Sequence, residues 1–177
     1  MNTASVFSSI QTITDAYRKR LEAVEPSKFM SSPQDGGWSY AEVYAHIFDL
    51  SILSLEAIDR CLSGDAKQRK TPLITRAILF FGAFPPAMKF KVPKQFESRV
   101  KKISITAAAQ MMDEFEQKLQ PYAEKLKAAS ASQKAAHPRL GYLNADQWLR
   151  FIDIHLKHHL KQLKRIDKQD NFTSLRP

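Results

Sequence analysis

The stretch NADQWLRFIDIHLKHHLKQLKRIDK, residues 144–168, decides how the rest of the chain is read. Set at the helical period, Trp148, Ile152, His155, His159, Leu163 and Ile166 fall on one narrow face. Arg150, Lys157, Lys161, Lys164 and Lys168 fall on the opposite one. Two imidazoles therefore stand one turn apart in a stripe that the pattern assigns to the core. A lone histidine on an apolar face is ordinarily a core residue hydrogen-bonded to a neighbour. Two at a spacing of four, both central, shift the reading, because a buried polar group needs a partner and neutral imidazole is the commonest metal ligand. Side chains at this spacing can converge on one ion. The zinc-protease motif shares the spacing but needs Glu directly after the first histidine. Leu156 stands there, so no general base comes with the ligands.

Working back from this helix, a loop containing His137-Pro138-Arg139-Leu140-Gly141-Tyr142 precedes it, and Asn144 with Gln147 reads as a variant capping box that opens the helix. Residues 105–129 form a third long helix, burying Ala108, Met111, Met112, Phe115, Leu119, Tyr122 and Leu126. Pro121 should kink or divide it. Its methionine pair reads as core filler. Residues 64–104 form a long irregular connection, with an apolar run from Pro72 to Phe84 that suits a short helix. That run can also serve as a satellite core or a homodimer contact. A second long helix starts at the capping box Ser39-Tyr40-Ala41-Glu42 and stops near Leu62, before Ser63-Gly64. His46 lies at the edge of its apolar face. Cys61, fifteen residues further on, lies about 22 Å along the axis and cannot reach the same ion; it reads as a small buried hydrophobe. Residues 4–24 make the first helix, ended by Pro26.

The totals fit this picture. With 177 residues, 44% of them hydrophobic, and only five glycines, the chain suits one compact helical domain over residues 1–169 with a disordered tail at 170–177. A single cysteine excludes an internal disulfide framework and fits a reducing compartment. No apolar run is long enough to span a bilayer and no signal sequence is evident, so no membrane partner and a cytoplasmic location are expected. The net charge of +9 draws anions, and residues 89–102 hold six basic residues and one acid, interleaved with Phe90 and Phe96. No nucleic-acid-binding signature accompanies them, and a solvated surface is the preferred reading.

Four long amphipathic segments without a convincing strand give an all-α four-helix bundle with a long irregular connection between its second and third long helices. Bundles build metal sites from facing helices, and His46 joins His155 and His159 as the third nitrogen donor. Three neutral donors leave a fourth position open, as in catalytic rather than structural zinc sites. His137 is a candidate to border the pocket. Gln162, one turn past His159, is a candidate to orient a ligand or touch substrate. His158 falls to the flank, Asp49 is a weaker partner for His46, and Trp38 and Trp148 read as packing anchors.

The patterns GGWSYAEVYAHI (36–47) and HPRLGYLNADQWLRFIDIHLKHHLKQL (137–163) resemble those of the DinB/YfiT-like superfamily of small metal-binding four-helix bundles. The resemblance implies that His46, His155 and His159 are the ligands of a divalent ion, zinc or nickel being expected. It further implies a metal-dependent transferase that joins a low-molecular-weight thiol, of the bacillithiol, mycothiol or glutathione type, to an electrophile. A metal-dependent hydrolase and a non-catalytic, metal-stabilised helical module are the alternatives.

Overall fold

A computed structural model describes residues 2–33, 36–63, 67–85 and 97–173, with side chains through residue 167. Four long helices make the bundle: α1 (Thr3–Ala23), α3 (Tyr40–Leu62), α5 (Ile105–Leu119) and α7 (Ala145–Thr173), with a short α2 (Pro26–Met30) between the first two. Each long helix begins where the sequence supplies a side-chain cap. Asn2 Oδ1 accepts from Ala4 N at 3.1 Å, and Ser104 Oγ from Ala107 N at 3.1 Å. Ser39 Oγ accepts from Glu42 N while Glu42 Oε2 accepts from Ser39 N, at 3.3 and 2.8 Å. Asn144 and Gln147 exchange the same pair of bonds at 2.9 and 3.0 Å. Caps of this kind contribute about 1 kcal/mol each, so they fix where helices start more than whether the bundle holds. As the sequence predicts, the third long helix divides at Pro121: α5 gives way to α6 (Tyr122–Lys125) and a 3-10 turn, Leu126–Ala128.

The core is locked by aromatic rings that also carry polar ends. Tyr17 packs edge-on to Tyr44 and Phe48, with centroids 5.5 and 5.4 Å apart. Its hydroxyl donates to Leu156 O of α7 at 2.9 Å, and Tyr44 donates to Tyr17 O at 2.8 Å. Those two bonds join α1, α3 and α7 from inside, leaving neither buried hydroxyl unpaired.

Helix α7 is more enclosed than its narrow stripe suggests. Between Trp148 and Leu156 every residue except Arg150 is buried. The extra cover comes from two elements on its outer side. One is α4 (Leu73–Phe81), the short helix expected in the 72–84 run, which ends at Gly82. Gly82 has φ +69°, and a Cβ there would collide with the guanidinium of Arg150, which donates from Nε to Leu79 O at 3.2 Å. The other is an antiparallel hairpin, β1 (Lys134–His137) with β2 (Gly141–Asn144), where the sequence suggested only a loop. Four-residue strands leave too little alternation to be read from sequence. Thr75 Oγ1 donates to Leu140 O at 2.7 Å and Thr71 Oγ1 to Tyr142 O at 2.8 Å, tying the 71–75 segment to the hairpin.

Under this cover Asp153 is fully buried. It accepts from Ser9 Oγ of α1 at 2.7 Å and is paired with Arg150 and Lys157. Arg150 and Lys157 are therefore partners of a buried carboxylate rather than members of a solvated face. Leu73, Phe80 and Phe81 on α4 stay 79%, 82% and 77% exposed, in the run on which a homodimer contact was expected.

Of the basic stretch 89–102, positions 89–96, with Phe90 and Phe96, lie outside the described residues. Of the expected tail at 170–177, the first four residues carry helical backbone and the last four lie outside the described residues. No helix among the described residues is long and apolar enough to cross a membrane.

Candidate metal centre

His46 lies two turns into α3, after the capping box that sets the helix phase. His155 and His159 lie on successive turns of α7, which packs along α3. The packing brings one ring nitrogen of each to within 4.8 Å of the others. This trio is the one cluster of three or more potential metal-binding side chains among the described residues. All three rings are buried, at 7%, 9% and 7% exposure.

The tautomers follow from the hydrogen bonds. Gln162 Oε1 lies 2.7 Å from His159 Nδ1; an amide oxygen only accepts, so Nδ1 carries the proton. The Nε2 lone pair of His159 then faces His155 Nε2 at 3.1 Å. Two imidazole nitrogens on one tetrahedral zinc, bound at about 2.0–2.1 Å, stand about 3.3 Å apart, so the spacing suits a shared ion. Neither ring nitrogen of His46 makes a hydrogen bond among the described residues, and the ring borders the cavity, so a lone pair remains for an ion. The donor set fits a divalent ion.

Packing fixes the ring planes. Trp38 lies parallel to His159 at 5.9 Å and edge-on to His46 at 4.7 Å. Phe151 stacks on His155 at 5.2 Å. Burial pushes the His46 pKa down to about 4, although the Asp49 charge pulls the other way and His158 adds to the fall. His155 and His159 are held well below the ordinary imidazole value, again by burial first and then by neighbouring histidines. All three rings are neutral at pH 7, the form that binds metals.

The trio opens onto a cavity of about 290 Å³ with mainly apolar walls, among them Leu50, Leu53, Phe84 and Phe151. His137, the last residue of β1, also lines it. Its Nδ1 accepts from the turn amides of Arg139 and Leu140 at 3.1 and 3.0 Å. Nε2 therefore carries the proton, and burial, with Arg139 close by, lowers the ring's pKa to about 4. His137 offers the cavity a neutral donor, not a base.

Of the sequence candidates, His46, His155, His159 and His137 thus meet at one cavity, while Gln162 stands behind His159. His158 is half-buried, edge-on to His159 at 5.1 Å and to Phe84 at 5.4 Å. Asp49 is engaged by Arg99, at 2.6 and 2.8 Å. Cys61 is buried away from the trio, its sulfur 3.5 Å from Leu143 O. Trp38, read as a packing anchor, packs on two of the histidines and lines the cavity. Arg60 and Arg139, both exposed, also border the cavity, which helix period and turn position did not indicate.

A family model for the DinB superfamily matches residues 10–163. Among solved structures, the crystal structure of TT2238, a four-helix bundle protein, superposes with a TM-score of 0.61 at 17% identity, covering 93% of this chain and 99% of that one. YfiT from Bacillus subtilis, described as a probable metal-dependent hydrolase with an unusual four-helix bundle topology, superposes with a TM-score of 0.65 at 14% identity, covering 96% and 87%. At these identities the likeness is one of fold. No curated protein matches the chain.

Proposed function

This chain belongs to the DinB superfamily, and from that premise we propose that it is a metal-dependent transferase acting on a low-molecular-weight thiol of the bacillithiol, mycothiol or glutathione type. His46, His155 and His159 would hold the ion; an all-imidazole set suits a divalent transition metal, and zinc or nickel is the identity proposed here. One observation carries the reading: three neutral imidazoles present nitrogens to a common point at the wall of an apolar cavity, and no carboxylate joins them among the described residues.

A divalent ion there supplies Lewis-acid chemistry, lowering the pKa of a thiol so that it ionises near neutral pH. The chain's own residues do the rest. Gln162 holds the His159 proton on Nδ1, Trp38 and Phe151 keep water from the imidazole faces, and His137 offers a donor to a polar group of the substrate. In the transfer, sulfur bonds to an electrophilic carbon, the leaving group departs with its electron pair, and the thiol proton passes to solvent. No side-chain base is required, and among the described residues no carboxylate belongs to the cluster.

The test is conjugation of a thiol to a model electrophile by metal-loaded protein. Turnover that disappears in His159→Ala and on chelation supports the proposal; none with any common cellular thiol refutes it. Hydrolysis is the second reading, favoured by the description of the YfiT structure as a probable metal-dependent hydrolase. Ester cleavage without added thiol would move the assignment there.

A further inference from the structure

The hairpin turn prepares one group on the cavity wall for a ligand that the metal centre alone does not explain. His137 Nδ1 is occupied by the amides of Arg139 and Leu140, at 3.1 and 3.0 Å; a ring flip would strand both, so the proton stays on Nε2. Two neighbouring rings hold its plane, Phe151 edge-on at 4.6 Å and Trp148 tilted at 5.2 Å. Nε2 makes no hydrogen bond among the described residues. Trp148 Nε1 on the same wall is unpaired too but is shut off from solvent, whereas His137 Nε2 is not. The donor also lies close to the trio. Phe151, which meets His137, stacks on His155 at 5.2 Å, so one phenyl ring bridges the two imidazoles. A fixed, neutral N–H on a mainly apolar wall takes an acceptor, and such groups set the orientation of a bound molecule. A carbonyl oxygen suits it, because one hydrogen bond to a neutral donor roughly offsets the lost hydration of a carbonyl and falls well short of a carboxylate's. A wholly apolar guest would leave the N–H without a partner.

We propose that His137 Nε2–H binds a carbonyl oxygen of one reactant, whose apolar part lies along Phe151 towards the three histidines. The proposal rests on the reading of this cavity as the reaction site and adds that this reactant is a carbonyl compound, selected by His137.

Acetophenone and α-methylstyrene test it, being alike in shape with the carbonyl oxygen of one exchanged for a methylene in the other. Both are titrated into protein labelled with nitrogen-15 histidine, once with chelator and once loaded with zinc. Calorimetry gives the affinities while NMR follows the imidazole nitrogens and their protons. Acetophenone should bind about threefold to tenfold more tightly in both states, the net worth of a neutral hydrogen bond. It should also move the His137 Nε2 proton further downfield than α-methylstyrene does. His137→Asn keeps an acceptor for the turn amides and lacks a donor at the Nε2 position. It should bind the two ligands equally, and unaltered α-methylstyrene affinity certifies its cavity; if that affinity is lost, the Nε2 proton of the native protein decides alone. Equal binding by the native protein, no binding of either ligand, a His137 proton found on Nδ1, or a preference that survives in His137→Asn overturns the proposal. Tighter binding of benzoate than of acetophenone does so as well. A preference seen only with zinc, and lost in His159→Ala, overturns it too, because the carbonyl then sits on the ion; the metal reading would stand. A preference that survives chelation and disappears with the Nε2 donor upholds it, even in a protein that takes up no zinc and transfers no thiol.

Discussion

Replacing Gln162 by leucine tests whether the second layer of the centre is organised for an ion. The amide oxygen accepts the His159 Nδ1 proton at 2.7 Å, which leaves the Nε2 lone pair facing His155 Nε2 at 3.1 Å. Leucine keeps the bulk and the helix propensity of the position, so the loss is confined to that bond. Removing such an outer partner typically costs tenfold to a hundredfold in metal affinity. Here the ring plane is also held by Trp38 on one face and by the edge of His158. Packing cannot tell Nδ1 from Cδ2 after a ring flip, however, so only the choice of nitrogen depends on Gln162. The loss should therefore lie near the lower bound, about tenfold or 1.4 kcal/mol. Competition for zinc against a chromophoric chelator measures it. The expected order is Gln162→Glu at or above native, then Gln162→Leu, then His159→Ala, with exposed Lys161→Ala matching native. An affinity for Gln162→Leu indistinguishable from native would refute the assigned tautomer.

Two further perturbations read the surroundings of the centre. Asp153→Asn keeps the shape of a fully buried carboxylate but strands Arg150 without its counter-charge; Lys157, more exposed, can turn to solvent. Removing one partner of a buried pair costs about 3–5 kcal/mol, and the lower figure is expected in urea unfolding; a loss below about 1 kcal/mol, the scale of exposed pairs, would show the cluster is solvated. His137 tests the pH dependence. Its pKa falls from the ordinary 6.5 to about 4 on folding, so the unfolded chain takes up the proton first. The resulting stability is complete above about pH 6.5 and is lost as pH falls towards 4, by up to roughly 3 kcal/mol. In chelator-treated protein, His137→Asn, which keeps an acceptor for the turn amides, should make the total loss shallower by that amount, with His46, His155 and His159 supplying the rest; an unchanged slope would assign the titration elsewhere.

How far the sequence reveals this depends on how local each feature is. The four helices show through because period and caps are properties of short stretches: Ser39 with Glu42 and Asn144 with Gln147 bond as their spacing implies. The trio shows through for the same reason, since His155 and His159 share a face by spacing alone and His46 needs only the phase of its own helix. The burial of Asp153 does not, because it depends on Ser9, 144 residues away, and on the cover that α4 lays over α7. The hairpin hides the role of His137 as well: whether its ring offers a proton or a lone pair is settled by the amides of Arg139 and Leu140, which the turn alone brings into reach.

The remaining alternative, a polar cluster that merely supports the bundle, makes an opposite prediction about stability. Buried imidazoles that lack full partners stabilise a core less than well-packed aliphatic side chains of similar size. His46 has no hydrogen bond among the described residues, and all three rings are held neutral by burial. If their task is to hold an ion, His46→Leu with His159→Leu should leave the chelated protein as stable as native, or more so, while abolishing metal uptake. Chelation should then lower the melting temperature of the native protein and not of the variant, since only the native fold gains by binding. If the histidines instead form a structural network, the same double variant should melt well below chelated native protein. Differential scanning calorimetry of both proteins, each with and without zinc, separates the two accounts, because metal affinity and intrinsic stability move in opposite directions only for a site whose polarity serves a ligand.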